Sequence, residues 1–290
     1  MPTLSSTRTF AVRDYDLGAT LTSGQAFRWR FEEQSWIGVI GPFWVRLRSD
    51  SFSIMAETSQ PLPDWSWLVD YLQLDFDYTQ LLLTFPDDEP MRRATNACRG
   101  LRLLRQDPWE CLASFILSST KQIVQIRQII ELLCQCFGEP LSVPAGFIPV
   151  YTFPSATRLA RATETELRAC KMGFRARYLL SVARLTASGQ FDPTRLRELP
   201  LEIAREELMQ LPGVGRKIAD CVLLFAYGFQ PAFPVDVWIA KALRQLYFPR
   251  RKVNLRRLQQ FAASHFGPNA GYAQQFLFHY MRVKRKLKDE

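Results

Sequence analysis

Apolar and polar positions change rhythm along this chain. Between about residues 10 and 60 the apolar residues fall in short runs, alternating or rich in β-branched and aromatic side chains, at 27–31, 36–40, 43–48 and 51–55. Turn residues such as Gly41-Pro42 separate them, and the pattern predicts an antiparallel meander. The stretch 21–29, with Gly24 inside it, reads by pattern as a strand carrying a glycine bulge or turn. From 68 to 83 the spacing shifts to three and four, and from about 91 onward the chain reads as mostly helical. Asp107-Pro108 is an N-cap followed by proline at the first helical position, and 123–137 is the next helix. A Pro-rich link at 138–154 then precedes helices near 155–162, 164–170 and 175–188.

The densest pattern spans 201–243. An apolar helical run at 201–211 meets Pro212-Gly213-Val214-Gly215, and a second run at 217–227 closes at Gly228 and Pro231. That is a tight hairpin of two helices. Without side chains at Gly213 and Gly215, backbone N–H groups can approach a ligand closely. The second helix adds a dipole that favours an anion such as a phosphate. Lys217 falls on the first turn of that helix, where the dipole and apolar neighbours both disfavour a charged amine. A lysine that gives up its proton easily can attack a carbonyl-like carbon and form a Schiff base. Asp236, after Phe233-Pro234-Val235, reads as the N-cap of another helix, a carboxylate able to stabilise positive charge developing nearby.

Composition narrows the classes. At 290 residues there is room for two domains. No apolar run reaches spanning length and the N-terminus lacks a secretory pattern, so a soluble intracellular protein is expected. The six cysteines are scattered, which suits buried thiols in a reducing compartment. With two histidines and no cysteine after Cys221, neither a zinc site nor a four-cysteine cluster is expected, and no cofactor. The net charge of +9 is uneven: residues 1–100 carry nine Arg against thirteen Asp and Glu, net −4, so the remainder carries +13. A basic segment of that size suits a polyanion, with salt-sensitive affinity.

The string Leu-Pro-Gly-Val-Gly-Arg-Lys217, an apolar helix, then Pro234-Val-Asp236 resembles the helix–hairpin–helix, Gly-Pro-Asp superfamily of DNA glycosylases, in its lysine-bearing, bifunctional branch. Ser23-Gly24-Gln25-Ala-Phe-Arg-Trp29 and Arg105-Gln-Asp-Pro-Trp-Glu-Cys111 resemble segments of the 8-oxoguanine DNA glycosylases within it. The resemblance runs nearly the whole chain. It implies an α+β protein, with a TBP-like antiparallel sheet domain over 1–105 and a helical glycosylase domain over 106–290. It implies catalysis by Lys217 and Asp236. A lesion pocket would be made by Gly24, Cys221, Pro234, Gln274 and Phe278. The Gly24 carbonyl would accept from N7–H of 8-oxoguanine, a hydrogen that guanine lacks. Gln274 and Phe278 are i and i+4 on one face in Ala270-Gly-Tyr-Ala-Gln-Gln-Phe-Leu-Phe278, to read the base edge and stack on its plane, with Cys221 on the other plane. Contacts to DNA would come from Gly213, Gly215, Thr120, Phe174, Arg175 and Trp238, with Phe174 and Arg175 filling the gap left by the extruded nucleotide.

Ser118-Ser119-Thr120-Lys121-Gln122 stands where the family has Ser-Ser-Asn-Asn-Asn, and three further positions depart from its pattern. Gln125 stands where an arginine reads the orphaned cytosine, Trp238 where a histidine follows the catalytic Asp, and Met281 where that histidine's acidic partner stands. The expected partner is double-stranded DNA containing a damaged base, and the expected state a monomer with no membrane association. The alternatives are a glycosylase for alkylated bases on the same scaffold, or a DNA-binding module that uses its hairpin only to hold phosphate. The tail 282–288 is read as a solvated or phosphate-touching helix end.

Overall fold

The computed structural model describes residues 5–119 and 121–289. Five antiparallel strands come first: β1 Ser6–Ala11, β2 Arg30–Glu32, β3 Ser35–Ile40, β4 Phe43–Ser49 and β5 Ser53–Thr58, in the order β1-β5-β4-β3-β2. Alternation sets the register. Val45, Leu47, Ile54 and Ala56 project to one face, where they pack with Trp29, Trp65, Leu68 and Leu72. Arg46 and Glu57 pair across β4 and β5 on the other face.

The meander is as read, with local differences. β1 gave little signal, because Ser6-Thr-Arg-Thr-Phe-Ala11 buries almost nothing at the sheet edge. The stretch read as a strand around Gly24 instead leaves a short helix, α1 Leu17–Thr22, capped by Asp16 Oδ1 accepting from the Ala19 N–H at 2.8 Å. Of the run 27–31 only its last two residues are paired. The Pro-rich link 138–154 is not idle. Its Leu141, Val143, Phe147 and Val150 cover Ile37, Val39 and Trp44, burying the second face of the sheet.

Among the described residues, nine helices lead up to the hairpin, the last being its first arm: α2 Ser66–Leu72, α3 Tyr78–Leu83, α4 Glu89–Ala97, α5 Pro108–Ser118, α6 Ile123–Phe137, α7 Ala156–Ala160, α8 Glu164–Leu167, α9 Arg175–Ala187 and α10 Leu201–Met209. Four more follow: α11 Arg216–Val222, α12 Val237–Tyr247, α13 Leu255–His265 and α14 Ala270–Asp289. The run 217–227, read as one helix, is α11 followed by a wide π turn at Leu223–Tyr227 that stops at Gly228. Every residue from Cys111 to Leu117 is buried, Ser114 included, so α5 runs through the helical core. Tyr78 and Leu81 of α3 and Met91 and Ala94 of α4 pack into that core, ahead of α5 in sequence. Among the described residues, no helix is long and apolar enough to cross a membrane.

Candidate active site

Lys217 and Asp236 line one cleft of about 490 Å³ between the sheet domain and the helical core. Each arrives by a different local device. α10 and α11 are joined at Gly213, whose φ of +79° is a left-handed conformation, and a Cβ there would come within 2.7 Å of the Tyr178 ring. Gly215 is the N-cap residue of α11, and Lys217 follows on the first turn. Its Nζ lies 5.0 Å from the Phe115 ring centroid, and the side chain is half-buried. Asp236 caps α12, its Oδ1 accepting from the Ile239 N–H at 2.7 Å. Sequence spacing anticipated both positions.

A buried ion pair ties the two arms of the hairpin. Arg205 on α10 donates from Nε to Asp220 Oδ1 on α11 at 2.5 Å, both side chains are at most 5% exposed, and Arg205 also pairs with Glu202. Burial pushes the Asp220 carboxyl up, while Arg205 and Arg216 pull it back. Asp220 lies one turn beyond Lys217, so this pair fixes the helix that presents the amine. Arg205→Leu strands a buried carboxylate; the hairpin should lose about 3–5 kcal/mol of stability, measured by urea unfolding. A loss under about 1 kcal/mol would show that the pair bears little of the fold.

A deeper extension of about 40 Å³ continues inward from the cleft, lined by Gly24, Cys221, Pro234, Gln274 and Phe278 together with Phe115. All five residues read as a base pocket therefore converge. The Gly24 turn has φ of +84°, and a Cβ on it would meet Ile123 Cδ1 at 3.1 Å and Phe278 Cε1 at 3.2 Å. Its neighbours hold it in place. Gln275 Nε2 donates to the Ser23 carbonyl at 3.0 Å, and Gln25 donates to the Thr20 and Arg102 carbonyls. Gln274 is 5% exposed and its Oε1 is buried without a hydrogen-bond partner. An acceptor left so in a native pocket costs about 1–3 kcal/mol unless a ligand satisfies it. Burial pushes the Cys221 thiol up to about 12 against the pull of Lys217, and the Cys111 thiol is raised well above its ordinary range. Burial thus disfavours the thiolate at both cysteines.

The residues read as DNA contacts do not behave alike. Trp238 stands at the mouth of the cleft, 37% exposed. Phe174 is 49% exposed at the start of α9, edge-on to Tyr178 with centroids 6.1 Å apart. Arg175 is a correction: its side chain is 3% exposed, donates to the Ser119 and Met172 carbonyls, and stacks 4.5 Å from the Phe174 ring centroid. It supports the aromatic from inside the protein. Thr120 lies outside the described residues. Phe115, Lys121, Gln122 and Arg282 also line the cleft and were not singled out by pattern. Phe115 sits in a mostly apolar run, where a pocket wall and core read alike. A shallow surface depression of about 630 Å³ on the sheet domain, beside Trp65 and Asp70, brings together no comparable chemistry.

Residues 9–112 match the 8-oxoguanine DNA glycosylase N-terminal domain, and residues 113–264 match the HhH-GPD superfamily base excision DNA repair proteins. A probable N-glycosylase/DNA lyase of Methanothermobacter thermautotrophicus is 32% identical, over 93% of this chain and 95% of its own length. An N-glycosylase/DNA lyase of Arabidopsis thaliana is 32% identical over 90% of this chain and 76% of its own. Among solved structures, MBOgg1 in complex with a low-affinity DNA ligand superposes with a TM-score of 0.91 at 35% identity, over 96% of each chain. The 8-oxoguanine glycosylase/lyase of Clostridium acetobutylicum, in complex with dsDNA containing cytosine opposite to 8-oxoG, gives 0.88 at 29% identity, over 96% of this chain and 98% of that one. With both family domains matched in order and full-length relatives at this identity, the chain belongs to the 8-oxoguanine DNA glycosylases of the HhH-GPD base excision repair superfamily.

Proposed function

We propose that the chain excises 8-oxoguanine from duplex DNA and then nicks the strand, acting where the genome is held. The observation that carries this is one cleft holding an amine, a capping carboxylate and a buried, unpartnered amide acceptor. The flipped base enters the inner pocket between Cys221 and Phe278. Its Watson–Crick edge meets Gln274, and N7–H donates to the Gly24 carbonyl. In this reading 1–105 and 106–290 act as two jaws, the first contributing Gly24 and the second the catalytic pair.

Lys217 attacks C1′ through its lone pair as the C1′–N9 bond breaks, and the base leaves with that electron pair and takes up a proton. Asp236 stabilises positive charge on the sugar as the bond weakens. Ring opening gives an iminium between Nζ and C1′. Loss of a C2′ proton then expels the 3′ phosphate by β-elimination, which nicks the strand.

The test offers one protein duplexes carrying 8-oxoguanine, an alkylated purine, or guanine. Free base and a nick should appear with the first alone. Release of the alkylated base only would overturn the proposal.

Selectivity for the opposite base should be weak. Gln125 occupies the arginine position, and its Oε1 accepts from the Gln122 N–H at 3.1 Å as part of the cap of α6. A glutamine so engaged cannot supply arginine's fork to a base edge. Excision rates with C, A, G and T opposite the lesion should agree within about tenfold, since one bidentate contact is worth about 1–3 kcal/mol. A hundredfold preference for cytosine would refute this.

A further inference from the structure

The mouth of the cleft carries cations that catalysis does not use. Arg282, on α14, is half-buried at the rim, donates from Nη1 to the Thr22 carbonyl at 3.0 Å, and lies 5.6 Å from the Phe278 ring centroid. A Cβ on Gly24 would be 3.5 Å from the same Nη1, so the guanidinium borders the base pocket. Burial, and secondarily the charge of Arg127, lower the pKa of Arg282. Lys121 lines the same rim. Among the described residues, every ion pair within 4.0 Å uses other cations. The carboxylate in the cleft, Asp236, is engaged with the Ile239 N–H. A half-buried guanidinium with no carboxylate paired to it is stabilised by a bound anion.

Resting on the excision reading above, we infer that Arg282 forms a phosphodiester subsite that grips the lesion-bearing strand beside the flipped nucleotide. Position selects the ligand. The inner pocket takes the base and Lys217 reaches the sugar, so the group that follows outward along the strand is a phosphodiester. A guanidinium offers it two parallel N–H donors, and Trp238 on the same rim offers no charge. The Thr22 bond leaves the outer donors of Arg282 available while holding the Gly24 turn. Gripping the phosphate thus also steadies the turn that reads the lesion.

The test measures binding, not turnover, on a duplex with a non-cleavable tetrahydrofuran abasic analogue across a range of salt concentrations. Wild type is compared with Arg282→Ala and Arg282→Lys. Each flanking phosphodiester is replaced in turn by a neutral methylphosphonate. Arg282→Ala should bind about tenfold more weakly at about 0.1 M salt and lower the slope of log affinity against log salt by about 1, while Arg282→Lys keeps the slope. One methylphosphonate position should weaken wild type about tenfold and Arg282→Ala no further. Equal sensitivity of both proteins at every position overturns the subsite. So does an unchanged slope when the alanine variant loses discrimination between lesion and guanine, because that outcome assigns Arg282 to the turn alone. If wild type releases no base from an 8-oxoguanine duplex, the excision reading fails, yet the salt and methylphosphonate arms still decide the subsite.

Discussion

Lys217→Gln abolishes the covalent adduct that borohydride traps on an 8-oxoguanine duplex, and slows base release by about 10⁴- to 10⁶-fold, the range seen when a nucleophile is removed from a site that otherwise binds normally. Glutamine keeps most of the length of lysine and nearly its helix propensity, so α11 is retained and unfolding stability changes by about 0.5 kcal/mol or less. The side chain is half-buried over Phe115, so its stem still packs while the amine is lost. Affinity for a lesion duplex should stay within a few-fold of wild type, because the pocket walls and the hairpin backbone are unchanged. Burial disfavours the thiolate at both cysteines near the amine, so neither is expected to take its place. An adduct that survives the substitution would sink the assignment, and Lys121, at the mouth of the same cleft, would then be the amine to test.

Much of this arrangement is legible in the sequence because its signals are local. The cap of α12 is set by Asp236 itself, the bend by Gly213, and the shared face of Gln274 and Phe278 by helical spacing. α6 begins and ends where periodicity puts it. What periodicity misses depends on distant partners. Arg175 turns inward because its acceptor, the Ser119 carbonyl, lies 56 positions earlier, and nothing near Arg175 in sequence announces that. α1 is six residues long, too short for its one apolar pair to set a rhythm, and exists because Asp16 caps it and Leu17 and Leu21 bury against the sheet. The link 138–154 has irregularly spaced apolar residues that become a layer only when β3 and β4 stand opposite. Arg282 reads as one more charge in a basic tail until the fold sets it against Gly24.

Asp236→Asn separates the structural role of this residue from its chemical one. Asparagine caps helices about as well as aspartate, so the bond from the Ile239 N–H is kept and α12 should lose at most a few tenths of a kcal/mol. What disappears is the negative charge beside the sugar. Charge placed in advance against a developing cation in a water-poor cleft is worth about 3–4 kcal/mol of barrier, so base release should slow about 10²- to 10³-fold. The two chemical stages should respond unequally. A pre-formed abasic site has already lost its base, so its aldehyde can condense with Lys217 without the cationic sugar that Asp236 stabilises. Borohydride trapping on an abasic duplex should therefore fall by less than about tenfold while excision falls a hundredfold or more. Asp236→Ala, by contrast, should lose the cap as well and about 1 kcal/mol of stability. If the asparagine variant releases 8-oxoguanine at the wild-type rate, the carboxylate is a helix cap and nothing more, and the charge that assists departure of the base must come from elsewhere in the cleft.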